Sequence, residues 1–264
     1  MEALYSLKPY IYWSGFLVFL LLETIFPYRP ATVAKGRRWL TNVPLAIING
    51  TIYHLLFTAA LMALAAEVEA SGTGLLNSWL APGWLKILAA ILILDFFIYL
   101  WHLLTHSVPL LWRFHQVHHS DLNMDVTTGN RFHLGEFLVT GFIRLAVIYT
   151  FGIPWAAYVL FEILVNLAVQ FHHSGIKTNP AFERVWALLF VPPSLHRIHH
   201  SVRRQECDSN YGVIFSLWDR MAGTLLTKVD QEEIVIGLKT QRQLARLGFW
   251  QLQLMPLGRK KPQD

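Results

Sequence analysis

The sequence has few charged residues and a single cysteine. Only 15% of its 264 residues are charged, whereas a soluble domain carries about 25%. Hydrophobic residues make up 54% of the chain, and 10 Trp and 17 Phe are among them. The lone Cys207 excludes an internal disulfide framework and any cysteine-rich metal site. Metal chemistry in this protein would therefore use nitrogen and oxygen ligands, and the composition favours a membrane protein over a large soluble core.

The apolar residues form runs that are long enough to cross a bilayer, which requires about 20 residues per helix. Three runs, at about 10–26, 43–66 and 84–104, are each predicted to span it once. A fourth run, at about 136–171, is interrupted by the sequence FGIP at 151–154, and glycine followed by proline predicts a hairpin that returns to the side it entered. The first run lacks a preceding positive stretch and a small-residue cleavage site, so a retained helix is predicted rather than a signal peptide.

Lysine and arginine are absent from the stretch at about 67–83, whereas four of them lie in the stretch at 27–42. Because cytoplasmic loops of membrane proteins are enriched in these residues, 27–42 is predicted to be cytoplasmic and the N-terminus external. Residues 105–135 and all those after 171 then also lie in the cytoplasm. The clustered bases are predicted to contact anionic lipid headgroups. No basic, aromatic-studded soluble face is evident, so nucleic-acid binding is not expected.

Histidine is concentrated in one part of this apolar chain, since eleven of twelve histidines lie between 102 and 200. They form HLLTH at 102–106, HQVHH at 115–119, HH at 172–173 and HRIHH at 196–200. Residues at i, i+3 and i+4 share a helix face, so each HxxHH directs two or three imidazoles at one point. Neutral imidazole binds zinc, copper, iron or nickel. Eight or more such ligands exceed the four of a structural zinc site, so the pattern predicts two metal ions.

Simpler explanations fit some of these histidines. An isolated HxxxH pair in a membrane protein is more often packed or interfacial than metal-bound, but two HxxHH clusters near a bilayer would be costly without a partner or a metal. His54, alone in an apolar helix, is predicted to be a packing residue. For His133, a position beside a ligand histidine is favoured over direct ligation.

The order of the clusters resembles that of the fatty acid hydroxylase/sterol desaturase superfamily, the integral-membrane di-iron oxygenases. The resemblance covers about 90–227 and rests on DFFIYLWHLLTH, LWRFHQVHHSDLNMDVTTGNRFHLGE, FHHSGI, PPSLHRIHH and NYGVIFSLWDRMAGT. Leu103 stands where the family often has Arg, and Met221-Ala222 where Leu-Phe is usual, but neither change affects a ligand. Together with the predicted spans, this indicates an all-α integral-membrane bundle of three spanning helices and a helical hairpin, with a cytoplasmic histidine-rich di-metal cap. Residues 1–264 are predicted to form a single membrane domain.

The resemblance implies an enzyme with two iron ions that uses dioxygen to hydroxylate or desaturate a lipid. The ligands that it implies are His102, His106, His115, His118, His119, His173, His196, His199 and His200. At the neighbouring positions 172 and 173 it favours His173, and His172 remains an alternative. The substrate, whether sterol, fatty acyl chain, alkylglycerol ether or carotenoid, would arrive through the bilayer. A separate reductase or other external electron donor is implied, because the sequence has no flavin, haem or ferredoxin motif.

Three carboxylates are candidates for contacts with the ligand histidines or for weaker ligation. Asp95 lies seven residues before His102, hence on the same helical face, in an apolar span where a carboxylate needs a partner. A hydrogen bond to the second nitrogen of a ligand histidine would supply that partner and raise the ligand's basicity, and a structural pair with Tyr or Arg is the alternative. Glu136 and Asp219 have the same two interpretations. Tyr99, one turn before His102, is predicted to face substrate or to fill the bundle.

Two other functional classes compete with a lipid oxygenase. A zinc membrane hydrolase would need an HExxH or HxxEH element, and the sequence has neither. A metal transporter or sensor places its ligands at the bilayer midplane, often within internal repeats, whereas these clusters lie at helix ends and no repeat is visible. The short termini and the lack of a fused cytochrome domain predict a bacterial inner-membrane protein, or an endoplasmic reticulum protein if the source is eukaryotic.

Overall fold

The computed structural model describes residues 2–258, and these residues form helices, loops and three isolated antiparallel β-bridges, with no extended strand. In chain order the α-helices are α1 (Glu2–Ile25), α2 (Lys35–Tyr53), α3 (Ala59–Ser71), α4 (Leu75–Ser78), α5 (Gly83–Ser107), α6 (Pro109–His119), α7 (Leu134–Phe151), α8 (Trp155–His173), α9 (Pro180–Trp186), α10 (Pro193–His199), α11 (Arg204–Cys207), α12 (Leu217–Ala222) and α13 (Phe249–Leu254). A π-helical segment, His54–Thr58, joins α2 to α3. The predicted all-α fold is confirmed. Met1 and residues 259–264, which the predicted single domain includes, lie outside the described residues.

Four helical segments of the described chain are long and apolar enough to cross a membrane: Lys35–Ser78, Gly83–Ser107, Leu134–Phe151 and Trp155–His173. The predicted spans at 43–66 and 84–104 lie within the first two, and the arms of the predicted hairpin are the last two. Helix α1 is not among them, although its 24 residues would extend about 36 Å. The spanning role predicted for 10–26 therefore stays a prediction, whereas the integral-membrane architecture is confirmed.

Helix α1 runs parallel to α8 and packs against it along its length. Near the start of both helices, Lys8 Nζ donates to Glu162 Oε2 at 2.9 Å. Gly15 fits against the side chains of Leu167 and Gln170 further along, where a Cβ would lie 2.6 Å from either. The two helices therefore end on the same side of the bundle, which is also where the histidines lie.

The hairpin turns at the glycine that the sequence indicated. Gly152 follows α7 in the left-handed conformation, with φ +65°, and Pro154 is the N-cap of α8. The backbone of Gly152 packs closely against the loop after α3. A Cβ added to Gly152 would lie 2.4 Å from Thr73 O, and a Cβ added to Gly74 would lie 2.2 Å from Gly152 N. The hairpin turn and the α3–α4 loop therefore lie at one end of the bundle. Helix α7 begins at the opposite end, and α8 ends there.

The core of the bundle lies between the spanning helices, with Phe57, Leu61, Leu94, Ile148 and Phe161 each at most 4% exposed. The outside of the bundle is also apolar. Its exposed large hydrophobic side chains include Leu17, Leu40, Leu55, Leu56, Phe142 and Tyr149. So many exposed large apolar side chains are unfavourable in water but match lipid acyl chains, which agrees with a bilayer-embedded bundle.

Candidate metal centre

Nine histidines converge at one end of the bundle and form two adjacent groups. The five-histidine group consists of His102, His106, His115, His119 and His199, and the four-histidine group of His118, His173, His196 and His200. Within each group the potential ligand nitrogens all lie within 4.8 Å of one another. The structure thus brings together the nine residues that the resemblance implied and divides them five to four.

Helix periodicity explains how each HxxHH cluster serves both groups. The first and last histidines of a cluster are four residues apart and share a helix face, so His115 and His119 of α6 enter the five-histidine group, while His196 and His200 at α10 enter the other. The middle histidine of each cluster faces the opposite group. Because the clusters interleave in this way, the groups lie side by side, and the ring centroids of His119 and His200 are 4.5 Å apart.

Hydrogen bonds to backbone carbonyl groups orient two rings of the five-histidine group. His102 Nδ1 lies 2.8 Å from Tyr211 O, and His199 Nδ1 lies 2.7 Å from Ser209 O. Because a carbonyl oxygen only accepts, each Nδ1 carries the proton and donates it, which leaves a lone pair on Nε2. Within residues 2–258, none of the five Nε2 atoms has a hydrogen-bond partner, although all are buried. Buried nitrogen lone pairs without donors are costly in a protein interior, and a metal ion would satisfy them.

The ligand nitrogens of the four-histidine group also lie close together. Its Nε2 atoms lie 3.1 Å apart between His118 and His173, 2.9 Å between His173 and His196, and 3.1 Å between His196 and His200. Two nitrogens that are each about 2.1 Å from one ion lie roughly 3.0 to 3.4 Å apart. His173 Nδ1 donates to Val169 O at 2.8 Å, so its Nε2 also keeps a lone pair. This spacing fits a second metal ion.

Burial keeps these rings in the form that binds metals. It lowers the pKa of His199 to about 3 and holds the pKa values of His118, His119, His196 and His200 well below the ordinary value. Desolvation is the largest cause in every case, since an imidazolium ion is poorly stabilised away from water. Neighbouring histidines lower the pKa values further. The rings are therefore neutral at physiological pH, and neutral imidazole is a metal ligand.

The three candidate carboxylates have different positions. Glu136 accepts a hydrogen bond from His115 Nδ1 at 2.9 Å, which is the contact with a candidate ligand histidine that was one of its two interpretations. Asp219 accepts from the backbone N–H of Tyr211 at 2.8 Å and so holds the segment whose carbonyl orients His102. Asp95 makes no such contact with a histidine in the described chain.

Asp95 instead fixes the segment after Tyr211. Its oxygens accept hydrogen bonds from the backbone N–H groups of Ile214 and Phe215, at 3.1 and 3.2 Å, and from Trp218 Nε1 at 2.8 Å. The segment with the sequence NYGVIFSLW therefore contacts both Asp95 and His102, since its Tyr211 O accepts from His102 Nδ1. Tyr99 also contacts this region, through a 3.0 Å hydrogen bond with Thr224 Oγ1.

The remaining histidines lie outside both groups. His133 caps α7, where its Nδ1 accepts from Gly135 N at 2.9 Å and its Nε2 donates to Gln253 O at 3.1 Å, so neither nitrogen is available to a metal or to a ligand histidine. His172 is buried, with its ring centroid 4.0 Å from that of His196, but it belongs to neither group. His54 is an exposed residue of the π-helical segment rather than a core residue.

Sequence reasoning missed a buried ionic network that holds the loop after α6. Arg38 of α2 binds both oxygens of Asp121, and its Nη1 lies 2.6 Å from Asp125 Oδ2. The three side chains are 1–2% exposed. Although burial alone would raise the pKa of Asp121, Arg38 lowers it far below the usual range. Two acidic residues placed soon after HQVHH in a charge-poor sequence were the available indication of this network.

A cavity of about 290 Å³ adjoins the histidines on the membrane side. Residues of both groups line one end of it, among them His102, His115, His118, His173 and His196. Its walls include the apolar side chains Ile98, Phe132, Phe137, Val165 and Val213. A pocket of roughly 300 Å³ or more that is mainly apolar is typical of small-molecule sites, and this one leads from spanning helices to the histidines.

Comparison with known proteins points to one family. Residues 87–224 match the family model described as "Fatty acid hydroxylase", a stretch that contains all nine histidines. The chain is 24% identical to the ornithine lipid hydroxylase of Rhizobium tropici over 257 residues, which cover 95% of this chain and 75% of that protein. It is 32% identical to the alkylglycerol monooxygenase of Homo sapiens over 152 residues, 57% of this chain and 32% of that protein.

A third relative is the cholesterol 25-hydroxylase-like protein of Danio rerio, 33% identical over 153 residues that cover 55% of this chain and 59% of that protein. The chain thus covers less than two thirds of the length of two of these relatives. No solved structure matches it. Because the family model covers more than half of the sequence, including every histidine of the two groups, the chain belongs to the fatty acid hydroxylase family, as the resemblance predicted.

Proposed function

We propose that the protein is a membrane-bound di-iron enzyme that uses dioxygen to hydroxylate a lipid, with one iron in each histidine group. The observation that carries this proposal is the convergence of nine histidines, in two close groups, at the head of a cavity within the spanning helices. The relatives support hydroxylation over desaturation, since they are named hydroxylases or monooxygenases and act on lipids. When bound, the irons would supply dioxygen activation and the removal of hydrogen from an unactivated C–H bond.

The protein's own residues prepare the site for this chemistry. The carbonyl groups of Tyr211, Ser209 and Val169 hold three ligand rings with their lone pairs directed inward. Glu136 holds His115 and makes its ring a better electron donor to a metal. The apolar cavity walls would position an acyl or sterol-like segment beside the histidines and keep water from the reacting carbon.

The competing functional classes have less support. A zinc hydrolase requires a carboxylate as general base beside the metal, whereas both groups consist of histidines only, and Glu136 is engaged by His115. A transporter would place its ligands near the bilayer midplane, whereas here they lie at the ends of α5, α6 and α8. We also propose that the histidine end faces the cytoplasm of a bacterial inner membrane and receives electrons from a separate reductase.

Metal analysis and oxygen consumption test this function directly. Protein purified in detergent should contain two irons per chain and should consume dioxygen when a chemical reductant and a membrane lipid extract are added. Mass spectrometry of that extract should show a lipid that has gained one oxygen. Protein that binds only zinc, or that leaves the lipids unchanged after iron loading, would contradict the proposal.

Cysteine labelling in intact cells tests the orientation. Ser71 lies at the end of the bundle that contains the hairpin turn, and Arg113 and Arg204 lie at the end that contains the histidines. All three are exposed. Cysteine at Ser71 should react with an impermeant maleimide added outside, and cysteine at Arg113 or Arg204 should react only after permeabilisation. The native Cys207 is 1% exposed and should stay unlabelled. External labelling at both Arg113 and Arg204 would reverse the orientation, and labelling of these two from opposite sides would exclude a shared metal centre.

Replacing Glu136 by Gln should weaken iron retention by about 10- to 100-fold, the usual range for losing a carboxylate that supports a ligand histidine. Glutamine keeps the size of the side chain but not its charge, so the fold should be unaffected. Iron bound per chain, measured during dialysis against a weak chelator, is the readout. The matched control is Glu67→Gln, at an exposed position near the opposite end. Equal retention in the two variants would assign Glu136 a structural role.

A further inference from the structure

An ion pair lines the histidine cavity at a distance from the metal ligands. Arg144 of α7 forms a salt bridge with Glu162 of α8, and Lys8 of α1 binds the other oxygen of Glu162 at 2.9 Å. The Arg144 and Glu162 side chains are 14% and 9% exposed. Both lie in helices that are apolar enough to span a membrane. Charged residues in such segments are costly and usually mark a functional pathway.

The pair lies at the far end of the cavity from the histidines. Glu162 precedes His173 by eleven residues on α8, which corresponds to about 16 Å along the helix axis. Both residues line the same cavity, as does Arg144. The cavity therefore extends from the metal ligands to a charged group deep in the spanning region.

A second cavity, of about 530 Å³, continues from this point. Tyr12, Tyr53, Glu162 and Asn166 line both cavities. The second cavity is also lined by residues of α1 and the π-helical segment, including Trp13 and His54, which are exposed on the outside of the bundle. A lipid that enters from this surface and reaches the histidines would therefore pass Glu162.

Arg144 has hydrogen-bonding capacity that the protein does not use. Its Nη1 donates to Glu162 and to Tyr53, and the Tyr158 hydroxyl is a further neighbour of the guanidinium. Its Nε is buried and makes no hydrogen bond of good geometry with residues 2–258. Trp101 Nε1, which also belongs to the cavity wall, is likewise without an acceptor there. A buried donor without an acceptor costs free energy. An oxygen atom of a bound lipid would accept from these donors, whereas a hydrocarbon would not.

We infer that Arg144, held by Glu162, binds an oxygen-bearing end of the substrate at the far end of the cavity, while the carbon that reacts lies beside the histidines. Lys8, Arg144 and Glu162 together carry a single positive charge, which favours an oxygen acceptor over a cationic group. The substrate class is then a lipid with a long apolar segment that ends in a hydroxyl, ester or carboxyl group. Arg144 acts as a specificity residue in this scheme, and the inference rests on the proposed function.

Binding measurements with two matched pairs of lipids test the inference. The full chain in detergent is titrated with hexadecanol and hexadecane, and separately with cholesterol and cholestane, and bound lipid is quantified by native mass spectrometry. In at least one pair, the wild type should bind the oxygen-bearing lipid about tenfold more tightly or better, as expected for a hydrogen bond to a charged group. The pair that shows the preference distinguishes a flexible acyl chain from a rigid sterol-like ring system.

The double variant Arg144→Met, Glu162→Met should lose this preference. Replacing both partners avoids leaving either Arg144 or Glu162 buried and unpaired, which would destabilise the bundle. Lys8, which also loses its partner, is 22% exposed and can be solvated. Arg144→Lys keeps the charge toward Glu162 but lacks the Nε donor, and it should also lose most of the preference. This second variant decides the question if the double variant does not fold. Arg113→Met, at an exposed position of α6, is the matched control and should bind like the wild type.

The inference is overturned if the wild type shows no preference in either pair of lipids. It is also overturned if the preference survives in the folded double variant. If the double variant does not fold, survival of the preference in Arg144→Lys overturns it. Because lipid binding is measured without turnover, this result is independent of the proposed function. Absence of iron or of dioxygen consumption would contradict the function and leave a measured preference intact. Lipid hydroxylation by a protein without the preference would contradict the inference alone.

Discussion

Alanine at His199 or His196 is expected to lower the rate of lipid hydroxylation more than about 100-fold. This is a larger loss than the roughly 10- to 100-fold expected when a residue that only supports a ligand is removed. His199 belongs to the five-histidine group and His196 to the four-histidine group, so each variant tests one of the two proposed iron sites. Removing one ring leaves the ion with an incomplete ligand set that binds weakly. The helices should still assemble, because packing elsewhere holds a membrane bundle together.

Iron per chain, dioxygen consumption and the elution profile in detergent are the measurements. Both variants should elute as the wild type does but contain less iron. Gln116→Ala is the matched control, since Gln116 lies within HQVHH and its side chain donates to the backbone carbonyl of Arg113 on the same helix rather than to a histidine. Wild-type iron content and rate in both histidine variants would rule out the proposed metal centre.

The second large effect is expected at Arg38, whose hydrogen bonds go to the loop after α6. Arg38→Met leaves Asp121 and Asp125 buried without their cation, and breaking a buried ion pair in this way costs about 3 to 5 kcal/mol. The loop that these carboxylates anchor directly follows His119. The variant should therefore unfold at a lower temperature and lose iron more readily than the wild type.

Thermal unfolding in detergent, followed by intrinsic fluorescence, measures this loss. The neighbouring Arg37 is exposed, so Arg37→Met removes the same charge from the same helix without breaking the network. A Tm for Arg38→Met equal to that of Arg37→Met would show that the buried network contributes little to stability.

The parts of the fold that sequence predicts well are those set by local composition. Apolar runs identified the spanning segments, and Gly152 followed by Pro154 identified the hairpin turn, because hydrophobicity and backbone preference depend on a few neighbouring residues. The ionic residues inside these runs were the exception. Arg38 lies just before the second run, in the cluster of bases predicted to contact lipid headgroups, but it is buried and its partners come from the loop after α6. Arg144 and Glu162 lie inside the fourth run and pair with each other across the hairpin.

The candidate site shows the same division. The nine histidines that the structure brings together could be predicted from spacing and family resemblance. Asp95 could not be placed, because its hydrogen bonds go to a segment about 120 residues later that packs against α5. His133 could not be placed either, since its role as a helix cap depends on where α7 begins and on a carbonyl from α13.

The sequence by itself determined that this is a helical membrane protein with enough histidine for two metal ions, because hydropathy and ligand chemistry are properties of the residues themselves. Only the tertiary structure decided how the histidines divide, why His173 rather than His172 joins a group, and which carboxylate supports a ligand. It also decided that a cavity joins the histidines to a buried ion pair. These features depend on which faces of distant helices meet, and helix faces are brought together only by packing of the whole bundle.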